Sequence, residues 1–357
     1  MPLLSPFVTS FGRVEARQCL LVEAFSEAGI GYGECVADRD PGYSYETTGT
    51  AWHVLVDFLI PAILGKEITL PGHVHQHLDF CRGHLMAKGS LEMAYWDLFG
   101  KQTGRSLQAM LGGTRPSVEV GVSVGLQASP ASLVDTVSRY LQQGYTRIKI
   151  KIKPGRDLAD AQAVRQAFPD LRLQVDANSA YTLDNALSLR PLDDLDLLLI
   201  EQPLAEDDIW DHARLQPQLR TALCLDESIL TVRHARQALE MGACRIINIK
   251  AGRVGGLSQA VAIHNLCCQQ GVPVWCGGML ETGVGRSANL ALASLPGFTL
   301  PGDISATDRY YAEDITEQRF SLNSDSTITV PTAPGLGITI NPDALARYTI
   351  RQTTVKL

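Results

Sequence analysis

No stretch of this sequence is apolar for long enough to span a bilayer, and its first residues, MPLLSPFVTSFGR, lack the charged and apolar regions of a secretory leader. A membrane role and export are therefore not expected. Positive charge is not in excess either: the net charge of −7 argues against a nucleic-acid-binding surface as the main role. The eight cysteines (Cys19, Cys35, Cys81, Cys224, Cys244, Cys267, Cys268 and Cys276) form no CxxC pair and no regular framework. Reduced thiols in a cytoplasmic protein are the expectation. There is no low-complexity tract and no charge block to suggest a disordered arm.

What is present fits a globular enzyme or binding protein with a sizeable core: 357 residues, 45% apolar and 19% charged. RQCLLVEAF (17–25) and GIGYGECV (29–36) read as two strands. SYETTGTAWHVLVDFLIPAIL (44–64) has helical spacing, with Pro61 ending or kinking the helix, and HLMAKGSLEMAYWDLFGKQTG (84–104) reads as a second long helix. Residues 1–115 thus read as a separate α+β unit.

From there to about residue 319 the pattern changes. Eight short apolar runs end in polar or glycine residues: VEVGVSVG (118–125), RIKIKI (147–152), RLQVDAN (172–178), LLLIEQP (197–203), ALCLDES (222–228), RIINIKAG (245–252), VPVWCGGM (272–279) and FTLPGDI (298–304). Helical patterns lie between them. Strand and helix alternating eight times predict a parallel (β/α) barrel over 116–319. A doubly wound open sheet is the alternative, but VEVGVSVGLQ lacks its G-x-G-x-x-G phosphate loop. The segment from about 320 to 357 has short strand and turn signals and is expected to pack back on the N-terminal unit as part of a cap.

RIKIKIKPGRD (147–157) alternates Lys and Ile with period two, so Arg147, Lys149, Lys151 and Lys153 share one face. Inside a barrel that face aims cations at one cavity, which demands anions there. The demand is met by spacing: Lys151, Asp176, Glu201, Asp226 and Lys250 each end a successive strand, separated by 25, 25, 25 and 24 residues. A single Asp after a strand is most often a helix cap; the same place in consecutive units is better explained by a site at the barrel mouth. Three converging carboxylates repel one another unless a hard cation such as Mg²⁺ takes their oxygens. Lysines on both sides suggest proton abstraction next to a substrate carboxylate, with Lys149 lowering the pKa of its neighbour Lys151.

PFVTSFG (6–12), GYGECVA (31–37), GHLMAKGSLEMAYWD (83–97), GVSVG (121–125), RIKIKIKPGRD, VDAN (175–178), EQPL (201–204), LDES (225–228), NIKAGRVGG (248–256), GGMLETGVGR (277–286) and ASLPGFTLPGDIS (293–305) follow one another as in the enolase superfamily. The chain resembles its muconate-lactonizing subgroup, and within it the o-succinylbenzoate synthase/N-acylamino acid racemase subfamily. That resemblance implies Lys151 as acid/base with Lys149 beside it, and Lys250 as the lysine opposite. It implies Asp176, Glu201 and Asp226 as ligands of Mg²⁺, with Mn²⁺ or another divalent ion possible, and Asn178 and Glu227 beside the metal. Ser123, Asn178, Gly278, Met279 and Leu280 resemble substrate-contacting positions. Cap loops near Phe11 and Tyr45 would shape the pocket, and Arg253 resembles an arginine common where racemisation occurs. Family members usually carry a further strand ahead of PFxTSFG, whereas here Met1–Ser5 precede it.

The resemblance implies Mg-dependent dehydration of 2-succinyl-6-hydroxy-2,4-cyclohexadiene-1-carboxylate in menaquinone synthesis, or racemisation of an N-succinylamino acid at the same residues. A homo-oligomer and a small carboxylate substrate are expected as partners, with neither nucleic acid nor membrane. A dipeptide epimerase would show an acidic D-x-D where this chain has GDIS with Asp303 alone; muconate cycloisomerisation and a catalytically silent binding barrel are further alternatives.

Overall fold

A computed structural model describes residues 1–9, 12–27 and 29–356. The chain opens with two antiparallel hairpins: β1 (Pro2–Thr9) with β2 (Gly12–Ala16), then β3 (Leu20–Ser26) with β4 (Gly29–Cys35). The first hairpin is an addition to the sequence reading; PLLSPFVT, with two prolines and no alternation, gives no strand signal. α1 (Thr48–Val54) starts in a capping box, Thr47 and Thr50 bonding each other's backbone N–H. A π-helical turn over Leu55–Leu59 separates it from α2 (Ile60–Ile63), at whose start Pro61 needs no N–H donor. The short α3 (Val74–Leu78) leads to α4 (Leu85–Thr103), which stops at Gly104 in the left-handed conformation, φ 66°; α5 (Leu107–Leu111) follows.

β4 lies directly on α4, and two glycines make that possible. A Cβ on Gly33 would stand 2.0 Å from the Ser90 carbonyl oxygen, and one on Gly31 would stand 2.2 Å from that of Ala94. The resulting layer encloses an apolar core of Val22, Leu55, Leu59, Leu78, Met86 and Leu91, into which Met279 reaches from the other half of the chain.

That other half winds through β5 (Ser117–Glu119), β6 (Val122–Val124), α6 (Pro130–Gln142), β7 (Arg147–Lys151), α7 (Asp157–Ala167) and β8 (Arg172–Asp176). A 3-10 run over Ala186–Asp194, containing Pro191, takes the place of the next helix. Then come β9 (Ile200–Glu201), α8 (Ile209–Leu215), β10 (Leu223–Leu225), α9 (Val232–Glu240), β11 (Ile246–Ile249), α10 (Leu257–Gln269), β12 (Val274–Cys276) and α11 (Gly283–Ala293). β6 to β12 form one parallel sheet in chain order, with the helices outside it. The eighth predicted strand, FTLPGDI, is not regular: Pro301 has no N–H for a ladder. It closes the ring through single bridges, Phe298 with Val274 and Gly302 with Val120, and through Asp303 N donating to Cys276 O at 2.8 Å. Beyond it, β13 (Thr327–Thr329) pairs antiparallel with β5, and α12 (Pro342–Tyr348) leads to a tail whose Arg351 stacks over Trp52 at 4.2 Å.

Two buried carboxylates pin the N-terminal layer to the barrel. Glu92 of α4 accepts from Ser258 N (3.1 Å) in the first turn of α10. Glu34 of β4 accepts from the Thr282 hydroxyl (2.7 Å) and Gly285 N (2.9 Å) at the start of α11. Each carboxyl accepts from backbone N–H groups left unpaired at the start of a helix. Among the described residues no helix is long and apolar enough to cross a membrane, and all eight cysteines are free thiols.

Candidate active site

β7 is buried on both faces along its length, so its cations cannot rely on solvent. Parallel register sets Lys151 beside Asp176 and Asp176 beside Glu201. The row then steps. Cys224, not Asp226, pairs with Glu201, so Asp226 stands two residues higher on its strand. Equal spacing in sequence therefore gives a rising staircase around the mouth, a consequence of the stagger that closes a barrel.

Each lysine is held by named oxygens. Lys151 Nζ donates to Asp176 Oδ2 and Asn178 Oδ1, both at 2.6 Å. Asn178 sits in the left-handed region (φ 42°), which Asn tolerates, and its amide passes the link on to Glu227 Oε1 at 2.9 Å. On the far side of the row Lys250 Nζ donates to Asp226 Oδ2 at 2.8 Å and to the Tyr43 hydroxyl at 3.0 Å. Arg253 bonds Asp226 as well and is itself fixed by the carbonyls of Ile229 (2.9 Å) and Asn248 (2.6 Å). Lys149, lower in the barrel, lies 2.7 Å from Glu201, 2.7 Å from Asp303 and 3.1 Å from Asp176. Below it Arg147 takes the other Asp303 oxygen at 2.6 Å.

Burial disfavours charge on Lys149, but Asp303, Glu201 and Asp176 outweigh it and raise its pKa. Lys149 is thus held as a cation by the carboxylates around it. Burial also opposes charge on Lys250, and Tyr43 and Glu227 more than compensate, again raising it. For Asp176, burial is overcome by Lys151 and Lys149 and the group is held below the usual carboxylate range; burial and Asp176 together push Glu201 up.

Among the described residues no three acidic groups stand together at metal-ligand spacing; each of the three carboxylates is paired with a lysine ammonium group. The donor chemistry nonetheless fits a hard divalent ion. Asp176, Glu201 and Asp226 are buried carboxylates at one mouth, and the ammonium of Lys149 already bridges two of them as a cation does.

A cavity of about 1540 Å³ opens over these groups and runs on across the N-terminal layer. Ser123, Asn178, Gly278, Met279 and Leu280 line it with Lys149, Lys151 and Lys250. Among the described residues the buried Ser123 Oγ has no hydrogen-bond partner, nor has Glu227 Oε2. Tyr45 is not among the lining residues: it is 58% exposed, edge-on to His84, and Tyr43 reaches the site instead. Phe11 lies outside the described residues. The sequence reading also passed over Asn248, whose amide donates to Glu201 Oε1 at 2.7 Å. It lies two residues before Lys250 on the same strand face, so period two was the signal for it. Tyr43, in an irregular loop, left no such signal.

A parallel barrel whose mouth sets two lysines on either side of a carboxylate row holds the kinds of group that acid/base chemistry uses. Residues 132–344 match the enolase C-terminal domain-like family, and residues 1–112 match the N-terminal domain of mandelate racemase/muconate lactonizing enzyme. The chain belongs to the enolase superfamily, in its o-succinylbenzoate synthase/N-acylamino acid racemase subfamily. It is 50% identical to an o-succinylbenzoate synthase of Geobacillus stearothermophilus, over 98% of this chain and 93% of that one. It is 51% identical to an N-succinylamino acid racemase of Amycolatopsis, over 98% and 95%. A solved enolase-superfamily member from Listeria innocua superimposes with a TM-score of 0.94 at 44% identity, covering 98% of this chain and 95% of that one.

Proposed function

We propose that this protein is an o-succinylbenzoate synthase acting in menaquinone synthesis, and that the same site racemises N-succinylamino acids. The observation that carries the reading is the pair of buried lysines, each moored to a carboxylate on its own side of the row. Relatives of near-equal identity carry each activity in their names, so both reactions are assigned to one set of residues.

In the dehydration Lys151, its amine released from Asp176, removes the proton α to the substrate carboxylate. The same lysine, now charged, assists departure of hydroxide from the same face. Lys250 remains a cation and stabilises the enediolate. In racemisation one lysine removes the proton and the other returns one from the opposite side. Lys149 holds fixed positive charge beneath, while Asn178 aims Lys151 and Glu227 steadies Asn178. Asp176, Glu201 and Asp226 would hold Mg²⁺, or Mn²⁺ or another hard divalent ion, which when bound supplies Lewis-acid stabilisation of the substrate carboxylate. Ser123 and the Gly278–Leu280 backbone would contact the substrate, and Arg253 would support Lys250 through Asp226. Tyr45, exposed and off the cavity lining, would act only through the shape of its loop, and Phe11 would help to shape the pocket.

The same reading divides the chain into a cap of residues 1–115, completed by about 320–357, over a barrel of 116–319; the Arg351–Trp52 stack supports the return of the tail. It also makes the protein a cytoplasmic homo-oligomer, the first in keeping with eight free thiols. The test compares kcat/KM for the cyclohexadiene substrate with that for several N-succinylamino acids, in wild type and Lys151→Ala, with and without chelator. Dehydration retained by Lys151→Ala, or by verified metal-free protein, overturns the assignment.

A further inference from the structure

The two lysines are moored alike but from different parts of the chain. Each ammonium donates to one carboxylate and one neutral oxygen: Asp176 and Asn178 for Lys151, Asp226 and Tyr43 for Lys250. Asn178 follows β8 directly and belongs to the barrel wall. Tyr43 comes from the N-terminal layer, in the loop between β4 and α1. That loop is closed at its base, where Thr48 N donates to Asp38 O at 2.8 Å, and tied to α4 by Glu46, which accepts from Met86 N (2.8 Å) and Ala87 N (3.1 Å). From it Tyr43 extends over the barrel mouth. Its hydroxyl donates to Asp226 Oδ1 at 3.0 Å while accepting from Lys250, and its ring lies under the Lys250 ammonium at 4.4 Å.

We propose that Tyr43 is a positioning residue for Lys250 and not for Lys151, so that the N-terminal layer governs the proton transfers made by Lys250 but not those made by Lys151. The inference rests on the racemase half of the reading above. Its physical basis is directional. A lysine tip that transfers a proton to carbon must point along one line, and without the phenol oxygen Lys250 keeps its carboxylate but loses the second contact that fixes that line. A lysine acting only as a cation is far less sensitive to aim. Dehydration, in which Lys250 serves by its charge, is therefore expected to tolerate loss of the Tyr43 hydroxyl.

The readout is exchange of the α-proton of N-succinyl-L- and N-succinyl-D-phenylalanine in ²H₂O, followed by NMR at saturating Mg²⁺ for wild type, Lys250→Ala and Tyr43→Phe. Lys250→Ala identifies the enantiomer that Lys250 deprotonates. Tyr43→Phe, which keeps the ring and hence the fold, is expected to slow exchange of that enantiomer about tenfold, and that of the other by less than about twofold. A fault in folding or in metal binding slows both alike. Equal slowing, or none, with wild type exchanging both enantiomers, overturns this inference and leaves the reading of the site intact. Exchange of neither enantiomer by wild type overturns the racemase reading, and this inference with it.

Discussion

Replacing Asp303 by Asn removes one charge from a buried ion cluster in the barrel, and its cost can be worked from contacts. Arg147 and Asp303 are 0% and 8% exposed at 2.6 Å separation, and Lys149 takes the other oxygen at 2.7 Å. Leaving a buried charge without its partner typically costs about 3–5 kcal/mol. Here Asn retains an acceptor, Lys149 keeps Glu201, and Arg147 keeps the carbonyls of Pro301 and Gly302, so the low end applies: a loss of about 3 kcal/mol. Urea unfolding followed by circular dichroism and by tryptophan emission measures it. Trp275 is a local probe, 4.8 Å from Lys149 Nζ and 5.7 Å from the Arg147 guanidinium. The loss also has a pH signature. Burial works against ionisation of Asp303, but Lys149 and Arg147 prevail and hold it well below its ordinary 3.8. A depressed folded value stabilises fully above the unfolded one and fades as pH falls toward the folded one. The gap between wild type and Asp303→Asn is therefore constant at neutral pH and narrows only below about pH 4. A loss under about 1 kcal/mol at pH 7, with unchanged m, refutes the argument that this cluster depends on Asp303.

Glu92 gives the opposite slope. Burial raises its carboxyl from 4.5 to about 7 despite the Ser258 bonds; the folded protein binds the proton more tightly, so this group's contribution to stability is lost as pH rises between about 4.5 and 7. Glu92→Gln should flatten that part of the stability–pH curve, as thermal unfolding across pH 5–8 will show; an unchanged slope counts against it. Gly33→Ala should cost about 2–3 kcal/mol because its Cβ meets backbone, whereas Gly49→Ala in α1, whose Cβ would lie 3.6 Å from the Thr47 hydroxyl, should be neutral or stabilise by up to about 1 kcal/mol. Comparable unfolding midpoints for the two variants would contradict the close β4–α4 contact.

Periodicity made the barrel legible: alternating runs at near-even intervals need no knowledge of side-chain contacts. It also placed Lys151, Asp176, Glu201, Asp226 and Lys250 at strand ends. Stagger was beyond its reach, since a 25-residue interval counts chain and not height, and only pairing puts Cys224 beside Glu201. Charge balance was hidden for a similar reason. Lys149 and Lys151 are neighbours in sequence, but the groups that decide Lys149 are Asp303, Glu201 and Asp176, the first of them 154 residues away. Tyr43 and Tyr45 stand in one loop and differ through its geometry, which has no periodic signature.

The two carboxylates that reach from the N-terminal layer into barrel helices bear on engineering. Glu34 and Glu92 seat in the starts of α11 and α10, the helices that follow the strands ending near Met279 and Lys250. The N-terminal layer and the barrel are thus not interchangeable modules. A layer grafted from another sequence has to supply acids at both sockets, or the grafted protein loses the footing of the loops that shape its pocket. Recombining specificities should begin inside the Asp38–Thr47 loop, where Tyr43 sits and the sockets are left alone.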